Sequence, residues 1–215
     1  MGIINGNFGT GDLTGWTATR IAPAVLPVVG VAYAHVAGYG CRLHCHEAPA
    51  GGALFLTYSQ IAQTITCGNK ATLSLWYRVP VDATQDQEPG PGTWDSLQLY
   101  VYIDGGWPPG GIGYFRSSIS PSPPWADVTP VDWTLMVIDL AAAGITAGSH
   151  ALAIQSYINP SMWPSTVGNS DLVLDVAGIT LKEGGTISGG SSPIRTSPGA
   201  SILGGIDCGR GRRVT

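Results

Sequence analysis

The stretch Ala71-Thr72-Leu73-Ser74-Leu75-Trp76-Tyr77-Arg78-Val79 decides the fold. Leu73, Leu75, Tyr77 and Val79 alternate with Thr72, Ser74, Trp76 and Arg78. Successive side chains of an extended chain point to opposite faces, so this period of two describes a strand with one buried face. The pattern recurs where Leu97, Leu99, Val101 and Ile103 alternate with Gln98, Tyr100, Tyr102 and Asp104. It recurs again where Leu152, Ile154, Ser156 and Ile158 alternate with Ala153, Gln155 and Tyr157. Residues 61–67, 135–140 and 172–181 add further strands, and Asp104-Gly105-Gly106 and Ala147-Gly148-Ser149 read as turns. No segment carries a helical period. Two Pro-rich stretches, 80–93 and 107–130, read as long loops. Short strands joined in this way predict an all-β protein, a jelly-roll β-sandwich.

Composition narrows the class. The 215 residues are 44% hydrophobic, enough for a real core, but only 11% charged, against about a quarter in an ordinary domain. A coiled coil, a collagen and a membrane-spanning helix are excluded, since no apolar run approaches the roughly 18 residues of a span. A net charge of −4 argues against nucleic acid as the partner. The opening Met1-Gly2-Ile3-Ile4-Asn5-Gly6 has neither the basic region nor the long apolar stretch of a secretory signal. That start predicts a protein made without such a leader.

Charge also divides the chain. Residues 1–184 hold six Lys/Arg against 13 Asp/Glu, a net of −7, whereas residues 185–215 hold four Arg against Asp207, a net of +3. The body, 1–184, reads as the jelly roll. The remainder, 185–215, is rich in Gly, Ser and Pro and reads as an extended C-terminal arm with no core of its own. Arg195, Cys208, Arg210, Arg212 and Arg213 give that arm its chemistry, and its charge suits the acidic body of a neighbouring subunit.

Four fragments occur in an order that resembles the jelly-roll carbohydrate-binding modules of families 4 and 9. Residues 4–16, Ile-Asn-Gly-Asn-Phe-Gly-Thr-Gly-Asp-Leu-Thr-Gly-Trp, resemble the family's opening strand and turn. Tyr58-Ser59-Gln60-Ile61-Ala62-Gln63-Thr64-Ile65, Ala71–Arg78 and Leu172-Val173-Leu174-Asp175-Val176 are similar to three later strands. The resemblance implies a sandwich over about 3–182 and, from the family's structural calcium, a candidate ligand set of Asn7, Asp12 and Asp175. It departs where the family carries acids, because Gly9 and Val176 stand at two of those places.

The alternation itself supplies a binding face. If Leu73, Leu75, Leu97, Leu99, Leu152 and Ile154 point inward, then Trp76, Arg78, Gln98, Tyr100, Tyr102, Gln155 and Tyr157 point outward. Rings stack on the apolar faces of sugars while amides and guanidinium groups bond the hydroxyls, so a glycan suits this set; contact with a protein surface is the reading favoured over it. Cys41, Cys45, Cys67 and Cys208 are too few for a disulfide scaffold; the sequence leaves open a pairing of Cys41 or Cys45 with Cys67, a staple from Cys208 to its own domain or a neighbour, and, if the protein is made in a cytosol, half-buried free thiols. His44 and His46 share a face about 6.6 Å apart, half of a metal site, and read as a surface pair for want of further ligands.

Catalytic signals are missing. Glu occurs only at 47, 88 and 183, and no nucleophile elbow, zinc-protease helix or phosphate loop is present. The sequence therefore predicts a non-enzymatic structural protein without a required cofactor. Its expected setting is a phage virion or extracellular assembly, as a capsid decoration or tail-associated component. There it forms a homo-oligomer or joins other virion proteins through its arm, with no membrane contact. The alternative is a carbohydrate-binding module that stacks a glycan on its outward aromatic face.

Overall fold

A computed structural model describes residues 2–46, 57–80, 96–105, 113–118, 131–159 and 170–184. Ten strands run through them: β1 (Thr17–Ile21), β2 (Val25–Gly30), β3 (Gly40–His46), β4 (Thr57–Cys67), β5 (Ala71–Val79), β6 (Ser96–Ile103), β7 (Gly113–Ser118), β8 (Val131–Asp139), β9 (Gly148–Asn159) and β10 (Asp171–Glu183). They form two five-stranded sheets, ordered β1-β4-β9-β6-β7 and β2-β3-β10-β5-β8. All the strand pairs are antiparallel. The protein is a jelly-roll β-sandwich.

One contiguous core lies between the sheets. Leu97, Leu99, Val101 and Ile103 of β6, Leu152 and Ile154 of β9, and Ile61 and Ile65 of β4 meet Leu73 and Leu75 of β5, Leu43 of β3, and Leu172, Leu174 and Val176 of β10. All six residues whose inward orientation the alternation required are in that core. Burying a Leu or Ile side chain of this kind contributes about 1.5–3 kcal/mol. The unbroken apolar period of these strands is therefore what fixes their registers.

Three features differ from the expectation. Residues 4–16 are turns, not an opening strand; the first strand begins at Thr17. Asn5 organises this segment, its Nδ2 donating to Thr10 Oγ1 and to the carbonyls of Asp12 and Thr14. Trp16 Nε1 donates to the Asn5 carbonyl, and Phe8 and Trp16 pack into the core. Such local side-chain bonds compete with a sheet ladder and win here. The expected loop 107–130 contains β7, which extends the first sheet beside β6. Strands β1 and β2 were not legible as alternations, and edge strand β2 exposes half of its residues; β3 alternates Cys41, Leu43 and Cys45 inward with Arg42, His44 and His46 outward. The expected loop over 81–93, and the arm with Arg195, Cys208, Arg210, Arg212 and Arg213, lie outside the described residues.

Candidate functional site

The seven outward residues do not share a face. Gln98, Tyr100 and Tyr102 stand on β6 and Gln155 and Tyr157 on β9, in the first sheet. Trp76 and Arg78 stand on β5, in the second sheet, and so project from the opposite side of the sandwich. Period two tells which face of its own strand a residue occupies but not which sheet the strand joins, and that is why the two groups looked like one.

On the first sheet the register builds a compact group. Gln98 lies across from Tyr157, Tyr100 from Gln155 and Tyr102 from Ala153; one strand further, Tyr157 meets Tyr58 and Gln155 meets Gln60. Tyr100 contacts Tyr157 edge-on with ring centroids 4.8 Å apart, and Tyr102 with centroids 5.4 Å apart. This is a second cluster, distinct from the inter-sheet core, with Tyr58 and Ala62 of the same sheet packed against it. It is enclosed: Tyr157 is 0%, Tyr102 1% and Gln155 4% exposed. The face that the alternation turns outward is thus a buried cluster of phenols and amides. Gln155 Nε2 donates to Gln60 Oε1, and Gln60 Nε2 donates to Thr19 Oγ1 at 3.1 Å. Gln155 Oε1 is buried with no hydrogen-bond partner among the described residues. Tyr58 and Gln60 belong to this face, and the alternation of residues 58–63 around Ile61 was the signal for them.

The outer face of the second sheet has different chemistry. Asp175, fully buried, accepts from Arg42 Nε at 2.8 Å and Nη2 at 3.1 Å and from Arg78 Nε at 3.0 Å. Register explains the clamp, since Asp175 on β10 lies directly across from Arg42 on β3 and from Arg78 on β5. Arg42 in turn covers the Tyr33 ring at 4.3 Å and Arg78 the Trp133 ring at 4.8 Å. Trp76 stacks against His35 at 4.0 Å. Gly40 makes room for this overlay: a Cβ there would lie 1.8 Å from the Tyr33 carbonyl oxygen.

Each of the three candidate calcium ligands is engaged by groups of the protein itself. Asp175 is held by two guanidinium groups, which repel a further cation. Asp12 Oδ1 accepts from Thr10 Oγ1 at 2.6 Å and Thr14 N at 2.9 Å, bonds that hold its carboxyl below the usual range. Asn7 Oδ1 accepts from Gly9 N at 3.0 Å. The His44 and His46 pair, by contrast, meets a carboxylate, Asp171. Cys41, Cys45 and Cys67 are free thiols and fully rather than half buried, with Cys45 Sγ 3.0 Å from Thr57 Oγ1.

No protein-family model matches the chain, and no curated protein does. Solved structures are similar in fold. The module TmCBM61, solved with β-1,4-galactotriose, is 12% identical over 85% of this chain and 98% of its own, with a TM-score of 0.46. The K3 cleaved adhesin domain of Lys-gingipain from Porphyromonas gingivalis is 10% identical over 86% and 100%, with a TM-score of 0.48. The enzymatically active domain of tailspike protein 4 from bacteriophage CBA120 is 11% identical over 83% of this chain, which spans 20% of that one, with a TM-score of 0.42.

Proposed function

We propose that the protein is a non-catalytic binding domain that takes a glycan on the outer face of the first sheet, at the cluster formed by Gln98, Tyr100, Tyr102, Gln155 and Tyr157. One observation carries this reading. The cluster is built from phenols and amides, and its Gln155 Oε1 is a buried acceptor with no hydrogen-bond partner among the described residues. Leaving a buried acceptor unmade costs about 1–3 kcal/mol, and a core of the same shape is made more stably from Leu or Phe. A sugar ring fits the arrangement because it offers hydroxyl donors at its rim and apolar faces for the rings. No arrangement of a nucleophile with a base accompanies the cluster among the described residues, so binding is the chemistry it supports. Glycan-array screening of the full chain, followed by calorimetry with Tyr157→Phe and Gln155→Leu, tests the proposal. Binding weakened by both substitutions supports it; an array without a binder, or a binder indifferent to both, contradicts it.

A second reading, a phage virion component that contacts neighbouring subunits, is favoured by apolar exposure along edge strand β2 and the turn that follows. Leu26 and Val28 are half exposed, and Val31 and Val36 are 68% and 71% exposed. Side chains of this kind on a sheet edge mark a contact surface. Light scattering of the full chain and of a chain ending at Gly184 tests both the contact and the part the basic arm plays in it. Assembly of the full chain alone supports the arm, assembly of both supports the edge, and two monomers reject the reading.

A further inference from the structure

We propose that His44, His46 and Asp171 form a binding site for a divalent transition metal of the zinc class, on the outer face of the second sheet and independent of the proposed glycan face. The site follows from the register. His44 and His46 are two positions apart on β3 and project from the same side. Strand β10 runs antiparallel beside them, placing Asp171 directly opposite His46 and Val173 opposite His44. Asp171 is therefore the direct neighbour of one imidazole and the diagonal neighbour of the other, and both lie within reach of a carboxylate.

The atoms converge on one point. His44 Nε2 lies 2.8 Å and His46 Nδ1 2.9 Å from the same oxygen, Asp171 Oδ1. The imidazole centroids are 3.9 Å apart, and one ligand atom from each of the three residues falls within 4.8 Å of the others. Two imidazoles satisfied separately by a carboxylate would each take an oxygen. Here both aim at one as N–H donors, and the other tautomer of each ring turns the same nitrogens into lone-pair donors for a metal, in a triangle with that oxygen. Around a tetrahedral zinc, ligand atoms bonded at about 2.0–2.1 Å lie about 3.3 Å apart, so small side-chain rotations open the triangle to metal size. Two imidazoles and one carboxylate favour zinc, copper, nickel or cobalt over calcium or magnesium, which take oxygen ligands. Exposures of 26%, 40% and 37% for His44, His46 and Asp171 leave a side open for water as a further ligand. Neither the glycan reading nor the Arg42–Asp175–Arg78 clamp uses these three residues.

Calorimetry of the full chain with zinc chloride tests the assignment, beside His44→Ala, His46→Ala and Asp171→Asn, with His35→Ala as the control. The expected result is saturable one-to-one binding that each of the three substitutions weakens roughly tenfold or more and the control leaves unchanged. Cobalt(II) gives a second readout: ligand-field bands of a nitrogen and oxygen site, without thiolate charge transfer, that vanish in His44→Ala. Absence of saturable binding, or binding that any one of the three substitutions leaves intact, overturns the site. All three side chains point away from the core, and matched melting temperatures confirm that a loss of binding is not a loss of fold.

Discussion

Gln155 and Gln60 face each other across β9 and β4, and the amide of Gln155 donates to the carbonyl of Gln60. The bond turns Gln155 Oε1 the other way, where it is buried without a hydrogen-bond partner among the described residues. In the proposed function that oxygen is the acceptor for a glycan hydroxyl.

Gln155→Leu separates that role from a structural one. The substitution removes one hydrogen bond and one bare acceptor of similar cost, so stability in urea is expected to stay within about 1 kcal/mol of the parent. Glycan affinity is expected to fall roughly tenfold, the loss of one good hydrogen bond. A large loss of stability with unchanged affinity would make Gln155 a structural residue only.

Asp175 depends on both arginines. Arg42→Met or Arg78→Met alone leaves one guanidinium in place and is expected to cost about 1–2 kcal/mol. The double variant leaves a buried carboxylate unpaired and is expected to cost about 3–5 kcal/mol, more than either single change implies. Urea denaturation of the three variants measures this coupling, and strict additivity at the lower figure would contradict it.

His150 and Asp104 predict a pH dependence. His150 Nδ1 lies 2.6 Å from Asp104 Oδ2 and its Nε2 2.9 Å from the Thr146 carbonyl, so both ring nitrogens face acceptors and the imidazolium is favoured. The Asp104 hydrogen bond raises the His150 pKa above its ordinary 6.5, outweighing burial. Burial pushes the Asp104 pKa up, but hydrogen bonds from His150 and from Ala151 N outweigh it and the net shift is below 3.8. The raised group contributes its full stability below about 6.5 and loses it as pH climbs through the folded value; the lowered group contributes above 3.8. Between about pH 6 and about pH 9, the melting temperature of the parent is expected to fall further than that of Asp104→Asn. Parallel curves would remove the pair from the account.

The core thiols are expected to be inert. Burial pushes the pKa of Cys41 and of Cys45 up to about 12, and it raises that of Cys67. With almost no thiolate at neutral pH, all three are protected from alkylation in the native protein and become labelled on unfolding. Peptide mapping after iodoacetamide treatment checks each cysteine separately; native labelling at Cys41 or Cys45 would contradict the packing.

Strands with a strict apolar alternation were legible from sequence alone: β5, β6, β9 and the centre of β10 lie where the pattern puts them. Hydrophobic periodicity encodes burial, and these strands are buried along most of their length. Strand β3 carries a shorter form of the same alternation, Cys41, Leu43 and Cys45 inward and Arg42, His44 and His46 outward, whereas edge strand β2 exposes half of its residues and shows none. The site was half legible. Gln98, Tyr100, Tyr102, Gln155 and Tyr157 come from neighbouring strands of one sheet, whereas Trp76 and Arg78 were grouped with them although the sandwich separates them. Asp171 escaped notice because its meeting with His44 and His46 depends on the β3–β10 register, 127 residues apart in the chain.

The most direct measurement is the affinity of the full chain for its best array glycan, compared between Tyr100→Ala on the first sheet and Trp76→Ala on the second, with melting temperatures matched. The account predicts a loss of roughly tenfold or more in Tyr100→Ala, from stacking worth about 1.4 kcal/mol, and no change in Trp76→Ala. Loss in Trp76→Ala with full binding in Tyr100→Ala would place the ligand on the opposite sheet and contradict the proposed glycan face.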